Sequence, residues 1–142
     1  MTTKILVPVD GSEHSKRAIE HVIQNQRDDG ELDIHLLTVP IAVDSGHARM
    51  FVSHEELDAY YREEGLTALK EARAQLDQAG IDYTYHIAPG HVADTIARFA
   101  EEREIDKIVM GTHGRGELTH LLMGSVATDV FRRSKVPVTL VK

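Results

Sequence analysis

Residues 108–126 read Ile-Val-Met-Gly-Thr-His-Gly-Arg-Gly-Glu-Leu-Thr-His-Leu-Leu-Met-Gly-Ser-Val. The apolar run Ile108-Val109-Met110 has the character of a buried strand, and Val126 to Phe131 that of a helix. Between them, Gly111, Gly114 and the Gly124–Ser125 pair fall in the spacing G-x2-G-x9-G-S. Glycines let the backbone approach an anion closely, and a helix start offers N–H groups and a favourable dipole. Strand, glycine loop and helix start together predict a phosphate cradle. The glycines could also do no more than permit a strand-to-helix turn. The connection from Gly111 to Gly124 is, however, longer than a compact domain usually holds without a purpose.

Working outward, the elements alternate. Lys4 to Val9 predicts a first strand, and Gly11–Ser12 a turn and N-cap for a helix with Ala18, Ile19, Val22 and Ile23 inward. Asp28-Asp29-Gly30 ends that helix, and Leu32 to Val39 forms a second strand. Residues 41–54 are irregular, a lid or a loose loop. Leu57, Tyr61, Leu69, Ala72 and Leu76 then recur at helical spacing as a core stripe, with Gly80 as the stop. Ile81 to Ala88 predicts a half-exposed edge strand, because Tyr83, Tyr85 and Ile87 alternate with polar residues. After the Pro89–Gly90 turn, a helix places Val92, Ile96, Phe99 and Ala100 inward. Asp106 to Met110 is the fourth strand, and Val136 to Val141 the fifth.

Strands separated by helices imply parallel crossovers and a single-domain α/β fold, a doubly wound five-stranded sheet. The most uniformly apolar strands, around Ile5-Leu6-Val7 and Ile108-Val109-Met110, belong at the centre, which gives the order 3-2-1-4-5. The winding reverses between strands 1 and 4, and ligands of such sheets bind at that switch point, beyond the strand C-termini. Asp10 and the glycine loop should meet there. Pro8 is the awkward residue, since a central strand disfavours a missing N–H. Its place near the strand end suggests the point where the ladder opens into a crevice.

The chain has 142 residues, 42% hydrophobic and 27% charged, which suits one globular domain. No apolar run approaches the ~18 residues of a transmembrane helix, and the N-terminus lacks signal-peptide character. With no cysteine there is no disulfide, thiolate zinc site or Cys nucleophile, and a cytoplasmic protein is expected. A net charge of −7 argues against sequence-independent binding to nucleic acid or to an anionic membrane. A small anion remains compatible, because a local cradle of N–H groups outweighs a distant negative surface.

Other phosphate motifs fit less well. A P-loop needs G-x4-G-K-S/T, and no lysine follows these glycines. Gly111, Gly114 and Gly116 give the reverse of the dinucleotide fingerprint, after the fourth strand rather than the first. A receiver domain would need clustered acids after strand 1 and an Asp after strand 3, where Asp10 stands alone and Ala88–Pro89 follows. Val7-Pro8-Val9-Asp10-Gly11-Ser12, the G-x2-G-x9-G-S spacing and the ending Val136-Pro137-Val138-Thr139-Leu140-Val141 together resemble the universal stress proteins over nearly the whole chain. The signature is that of the family's ATP-binding branch, with Arg115 in the usual basic position; Glu117 and His120 differ within the nine-residue spacer.

The resemblance implies ATP, or AMP or ADP, with Mg2+, as ligand. It assigns Asp10 to hydrogen bonds on the ribose or adenine side, and Pro8, Val9 and Val39 to the adenine pocket. It places Met110 and Gly111 beside the ribose and α-phosphate. Gly114, Gly124, Ser125 and Val126 would present backbone N–H groups to the phosphates, Ser125 also its hydroxyl, and Arg115 would reach the terminal phosphates. A carboxylate accepting from hydroxyls, apolar groups around a base and amides around an anion are physically suited to those tasks. The resemblance also implies a stress-response role and an antiparallel homodimer through residues 138–141; an apolar sheet edge invites such pairing.

Simpler readings stand beside these. Asp10-Gly11-Ser12 could be only a turn and a cap. His113 and His120 lack the spacing and companions of zinc ligands and are expected as exposed loop histidines. His14, His21, His35, His47, His54, His86 and His91 are scattered, consistent with surface or half-buried positions. Arg132, Arg133 and Lys135 complement a helix C-terminus. Three functions follow: a nucleotide-binding regulatory protein, with an unknown protein partner; a slow ATPase; or a nucleotide-independent dimeric adaptor. Hydrolysis would need a base or water-orienting group, for which His113, Glu117 and His120 are the loop candidates, and none is assigned a catalytic role.

Overall fold

The computed structural model describes residues 2–26, 31–42, 52–113 and 124–142. Strands β1 (Thr3–Pro8), β2 (Leu32–Thr38), β3 (Thr84–Ile87), β4 (Lys107–Gly111) and β5 (Val138–Val141) alternate with helices. Those helices are α1 (Glu13–Gln26), α2 (His54–Gln78), α3 (Val92–Glu102) and α4 (Ser125–Arg133). Every strand pairing is parallel. The order is β3-β2-β1-β4-β5, as the sequence led us to expect.

Period-two alternation divides the core between the two faces of the sheet. Ile5, Val7, Val9, Ile34 and Leu36 pack with Ala18, Ile19 and Val22 of α1 and Leu69, Ala72 and Leu76 of α2. Leu6, Leu37, Ile108 and Met110 pack with Ile96 and Ala100 of α3 and Ala127 and Val130 of α4. Helices therefore cover both faces, and the central strands are apolar on both sides, as a parallel sheet requires.

Pro8 fits the centre of the sheet because of where its nitrogen points. Thr3 N–H donates to the Glu31 carbonyl and Val9 N–H to the Leu37 carbonyl, so odd-numbered amides of β1 face β2. Even-numbered ones face β4, where Lys4 N–H meets the Asp106 carboxylate. The β1–β4 register runs through Ile5↔Lys107 and Leu6↔Ile108, whereas β1–β2 continues to Pro8↔Leu37. The missing donor thus falls on the side where the ladder has already ended.

Two strands are shorter than their sequences suggested. Ile81 does not enter β3, because its N–H closes the end of α2 on the Leu76 carbonyl, with Gly80 at φ +69° supplying the turn. Val136 does not enter β5, because its N–H is held by the Ser134 hydroxyl and Pro137 has none to give. The predicted stop of α1 at Asp28-Asp29-Gly30 lies outside the described residues.

The edge strand β3 is fixed from both faces. Arg73 donates to the Tyr83 hydroxyl and lies over the Tyr85 ring. On the other face His35 and His86 stack and share a hydrogen bond of 3.0 Å, and His86 rests against Phe99. Burial, then the neighbouring His35 and Arg103, holds His86 below the usual imidazole range. Gly65 lets α2 lie directly on this strand, since a Cβ there would come within 2.7 Å of three Ile87 side-chain carbons. We expect Gly65→Val to destabilise the protein by about 1–3 kcal/mol through overpacking. Chemical denaturation measures this, and an unchanged midpoint would show that α2 can step away from β3 freely.

Candidate functional site

Because the β1–β4 ladder ends early, a cleft opens beyond the C-terminal ends of β1, β2 and β4. The turn after β1 is tied into a compact knot. Gly11 takes φ +81°. One Asp10 carboxylate oxygen accepts from Ser12 N–H at 2.9 Å and from the Ser15 hydroxyl at 2.8 Å. The Ser15 oxygen in turn accepts from Asp10 N–H at 3.0 Å. Ser12 caps α1, its hydroxyl accepting from Ser15 N–H and its carbonyl from Lys16 N–H. Turn, cap and carboxylate are therefore one device: the bonds that start the helix also hold Asp10 at the cavity wall.

The end of β4 meets this knot. A Cβ on Gly111 would come within 2.6 Å of the His14 Cβ and 2.8 Å of the His14 carbonyl oxygen. Glycine is required there by the approach of α1, whatever the ligand does. Beyond it, Thr112 N–H donates to the Val141 carbonyl at 3.0 Å, and Gly124 N–H donates to the Thr112 carbonyl at 2.6 Å. The Gly124 amide therefore joins the two ends of the connection, which brings the first turn of α4 beside β4. Amides of a first helical turn lack intrahelical acceptors and carry the positive end of the dipole. Ser125 opens that turn.

His113 departs from the exposed loop position expected of it. It is 9% exposed, directly after the residue whose N–H donates to the Val141 carbonyl. Its Nδ1 pairs with the Thr112 hydroxyl at 3.0 Å, and its ring lies 5.1 Å from that of His14. His113 Nε2 and His14 Nδ1 are buried without hydrogen-bond partners among the described residues. Each unpaired buried nitrogen of this kind costs about 1–3 kcal/mol.

The cleft encloses a cavity of about 430 Å³, within the range of small-molecule sites. Pro8, Val9, Asp10, Val39, Met110, Gly111 and Val126 all line it, so residues from both ends of the chain meet as anticipated. Gly124 and Ser125 stand at the adjoining helix start. Gly114 and Arg115, with Glu117 and His120, lie outside the described residues. Sequence reasoning did not assign Tyr60, Glu64 and Ala68, which line a further wall from successive turns of α2, nor Val92 and Ile96 of α3. Their four-residue spacing was visible, but which face of α2 met the cleft was not. Among the described residues no group of three or more His, Asp or Glu side chains could hold a metal ion, and no helix is long and apolar enough to cross a membrane.

The sequence profile of one family, described as the universal stress protein family, matches residues 1–142. The chain belongs to that family. Universal stress protein MJ0531 of Methanocaldococcus jannaschii is 33% identical over 98% of this chain and 81% of its own length. Universal stress protein MJ0577 of the same organism is 29% identical over 100% of this chain and 96% of its own. The solved structure of MJ0577 superposes with a TM-score of 0.80, covering 99% of this chain and 95% of that one. A universal stress protein solved in complex with cAMP is 25% identical, with a TM-score of 0.68 over 99% of this chain and 96% of that one.

The contact at Gly111 generates a prediction independent of any ligand. Gly111→Ala should lower stability by about 1–3 kcal/mol, the range for overpacking, because the added carbon meets backbone that has no rotamer to change. A thermal melt within a degree of the wild type would show that α1 is not held against β4.

Proposed function

We propose that this universal stress protein binds an adenine nucleotide, ATP in the first instance, in the cavity at the switch point, and acts as a regulatory protein through its occupancy. The observation that carries this is the convergence, on one cavity, of a fixed carboxylate, an apolar slot and a helix start. Asp10, held by Ser12 and Ser15, suits ribose hydroxyls as an acceptor. Pro8, Val9, Val39 and Met110 offer apolar surface to a base. Gly124, Ser125 and Val126 bring the start of α4 towards the phosphates, with Gly114 and Arg115 of the glycine signature. The cAMP complex of a relative is consistent with an adenine ligand. Mg2+ in this reading is carried by phosphate oxygens and water rather than by a protein cage, since no carboxylate cluster among the described residues offers one.

Dimerisation belongs to the same proposal. On β5, Pro137 and Val141 carbonyls accept from Ile108 and Thr112, so odd-numbered backbone groups face β4. Those of Val138 and Leu140 then face away from the sheet, along an edge that no strand covers among the described residues. A second copy pairing antiparallel along that edge would satisfy them.

Val39→Trp should fill the slot and weaken ATP binding at least about tenfold, the scale of losing ~1.4 kcal/mol, with the melting temperature kept. Titration calorimetry measures it; wild-type protein that takes up no adenine nucleotide at millimolar concentration would sink the proposal. For the dimer, Leu140→Pro removes an outward N–H at a position where an edge strand tolerates proline. Light scattering should then give the monomer mass, and a dimer that persists would place the interface elsewhere.

A further inference from the structure

We propose that His35 and His86 form a proton-sensitive clasp on the edge strand β3: the pair stays closed with one added proton, and a second opens it and loosens the cavity wall that β3 supports. His35 Nδ1 and His86 Nε2 share a hydrogen bond of 3.0 Å from β2 to β3, between rings 14° from parallel. A hydrogen bond between two ring nitrogens holds one proton, whichever ring carries it. On its other side His35 Nε2 lies 3.2 Å from the Asp33 carboxylate, which when ionised only accepts. The neutral pair is satisfied with a proton on His35 Nε2, facing Asp33, and His86 Nε2–H donating to His35 Nδ1. One added proton still fits, because a charged His35 donates to His86 and faces Asp33. With two, N–H meets N–H and two cations stand side by side, so the bond is lost.

The surroundings resist that second proton. His86 is half-buried against the Phe99 ring at 4.8 Å, and Arg103 lies over the same Phe99. Burial, then His35 and Arg103, hold His86 below the usual imidazole range. Lys4 stands beside Asp33 in the β1–β2 register, and on the opposite face of β3 α2 brings Arg73 to Tyr83 and Tyr85.

The clasp holds a strand of four residues and, through it, one side of the cavity. Just beyond His86, Ala88 N–H donates to the Thr38 carbonyl and Gly90 N–H to the Pro40 carbonyl, and Ile41 bridges to Gly90. Thr38, Pro40 and Ile41 line the cavity. A short edge strand opens at lower cost than the central ladder, so the lost attachment is felt there first. The sign follows from linkage. A native state that disfavours charged His86 keeps its full stability above the ordinary imidazole range and loses it as pH falls through the lowered native value.

The test is amide hydrogen exchange on the full chain by NMR, from ~pH 7 to ~pH 5 across the ordinary imidazole range, with the intrinsic pH dependence of exchange divided out. Wild-type Ala88 and Gly90 should lose protection about tenfold, the scale of one lost hydrogen bond, while the amides of β1 and β4 keep theirs. His86→Phe keeps a ring against Phe99 without a proton to gain, and should remove that pH dependence. Nitrogen-15 signals of the imidazoles supply a second measurement. His86 should take up its proton below the ordinary range in the wild type, and nearer to it in His35→Leu, which removes the neighbouring charge. Protection at Ala88 and Gly90 that does not change with pH in the wild type, or that falls equally in β1 and β4, overturns the proposal. So does a His86 titration that His35→Leu leaves unmoved. The wild-type measurements decide the matter even if a variant does not fold.

Discussion

Pro8 has no N–H to give to β4, and the central ladder of the sheet ends before reaching it. Much of what is distinctive in this protein depends on that early parting of β1 from β4. Had the ladder continued, backbone pairing would close the switch point and leave Asp10 in a buried turn. With it open, β1 stays bound to β2 through Val9 while β4 stays bound to β5 through Thr112. The two halves of the sheet remain continuous lower down and separate at the top. The space between them is the cavity, with α2, α3 and α4 completing its walls.

In the same region the residues that line the cavity are also the ones that hold the fold together. Asp10 holds the turn before the Ser12 cap; the hydrogen bonds from Ser12 and Ser15 at the start of α1 are also what fixes its carboxylate. Gly111 serves the approach of α1 as much as any approach of a ligand, since a side chain there would meet the His14 backbone. Gly124 contributes through an amide committed to Thr112, so it closes a loop whose ends must meet before the helix start can point at anything. The signature glycines are thus partly explained by packing. His113 Nε2 and His14 Nδ1 are buried there without hydrogen-bond partners among the described residues.

The fold was largely legible because its main signals are local. Apolar runs of strand length alternated with helical stripes, and the two most apolar runs belonged at the centre of a doubly wound sheet. Strand ends were less legible, since Ile81 and Val136 spend their amides on a helix end and a serine rather than on a ladder. In the site, Pro8, Val9, Asp10, Val39, Met110, Gly111 and Val126 were anticipated and do share one cavity. Tyr60, Glu64 and Ala68 were not, because α2 presents several faces and only its packing selects one. Gly65 among the core positions of α2 was likewise unforeseen; its fit is set by Ile87, more than twenty residues away.

The sequence by itself determined the alternation of elements, the parallel sheet, its strand order and the glycine spacing that marks the family. These follow from periodicity, glycine and proline chemistry, and the burial that each strand demands, all properties of short segments. Only the tertiary structure decided that His113 is buried rather than exposed, that Gly111 answers to His14, and that α2 supplies a wall of the cavity. Each depends on the distance between atoms brought together by the sheet from remote parts of the chain. Burial and steric contact are properties of that assembly, and no local pattern encodes them.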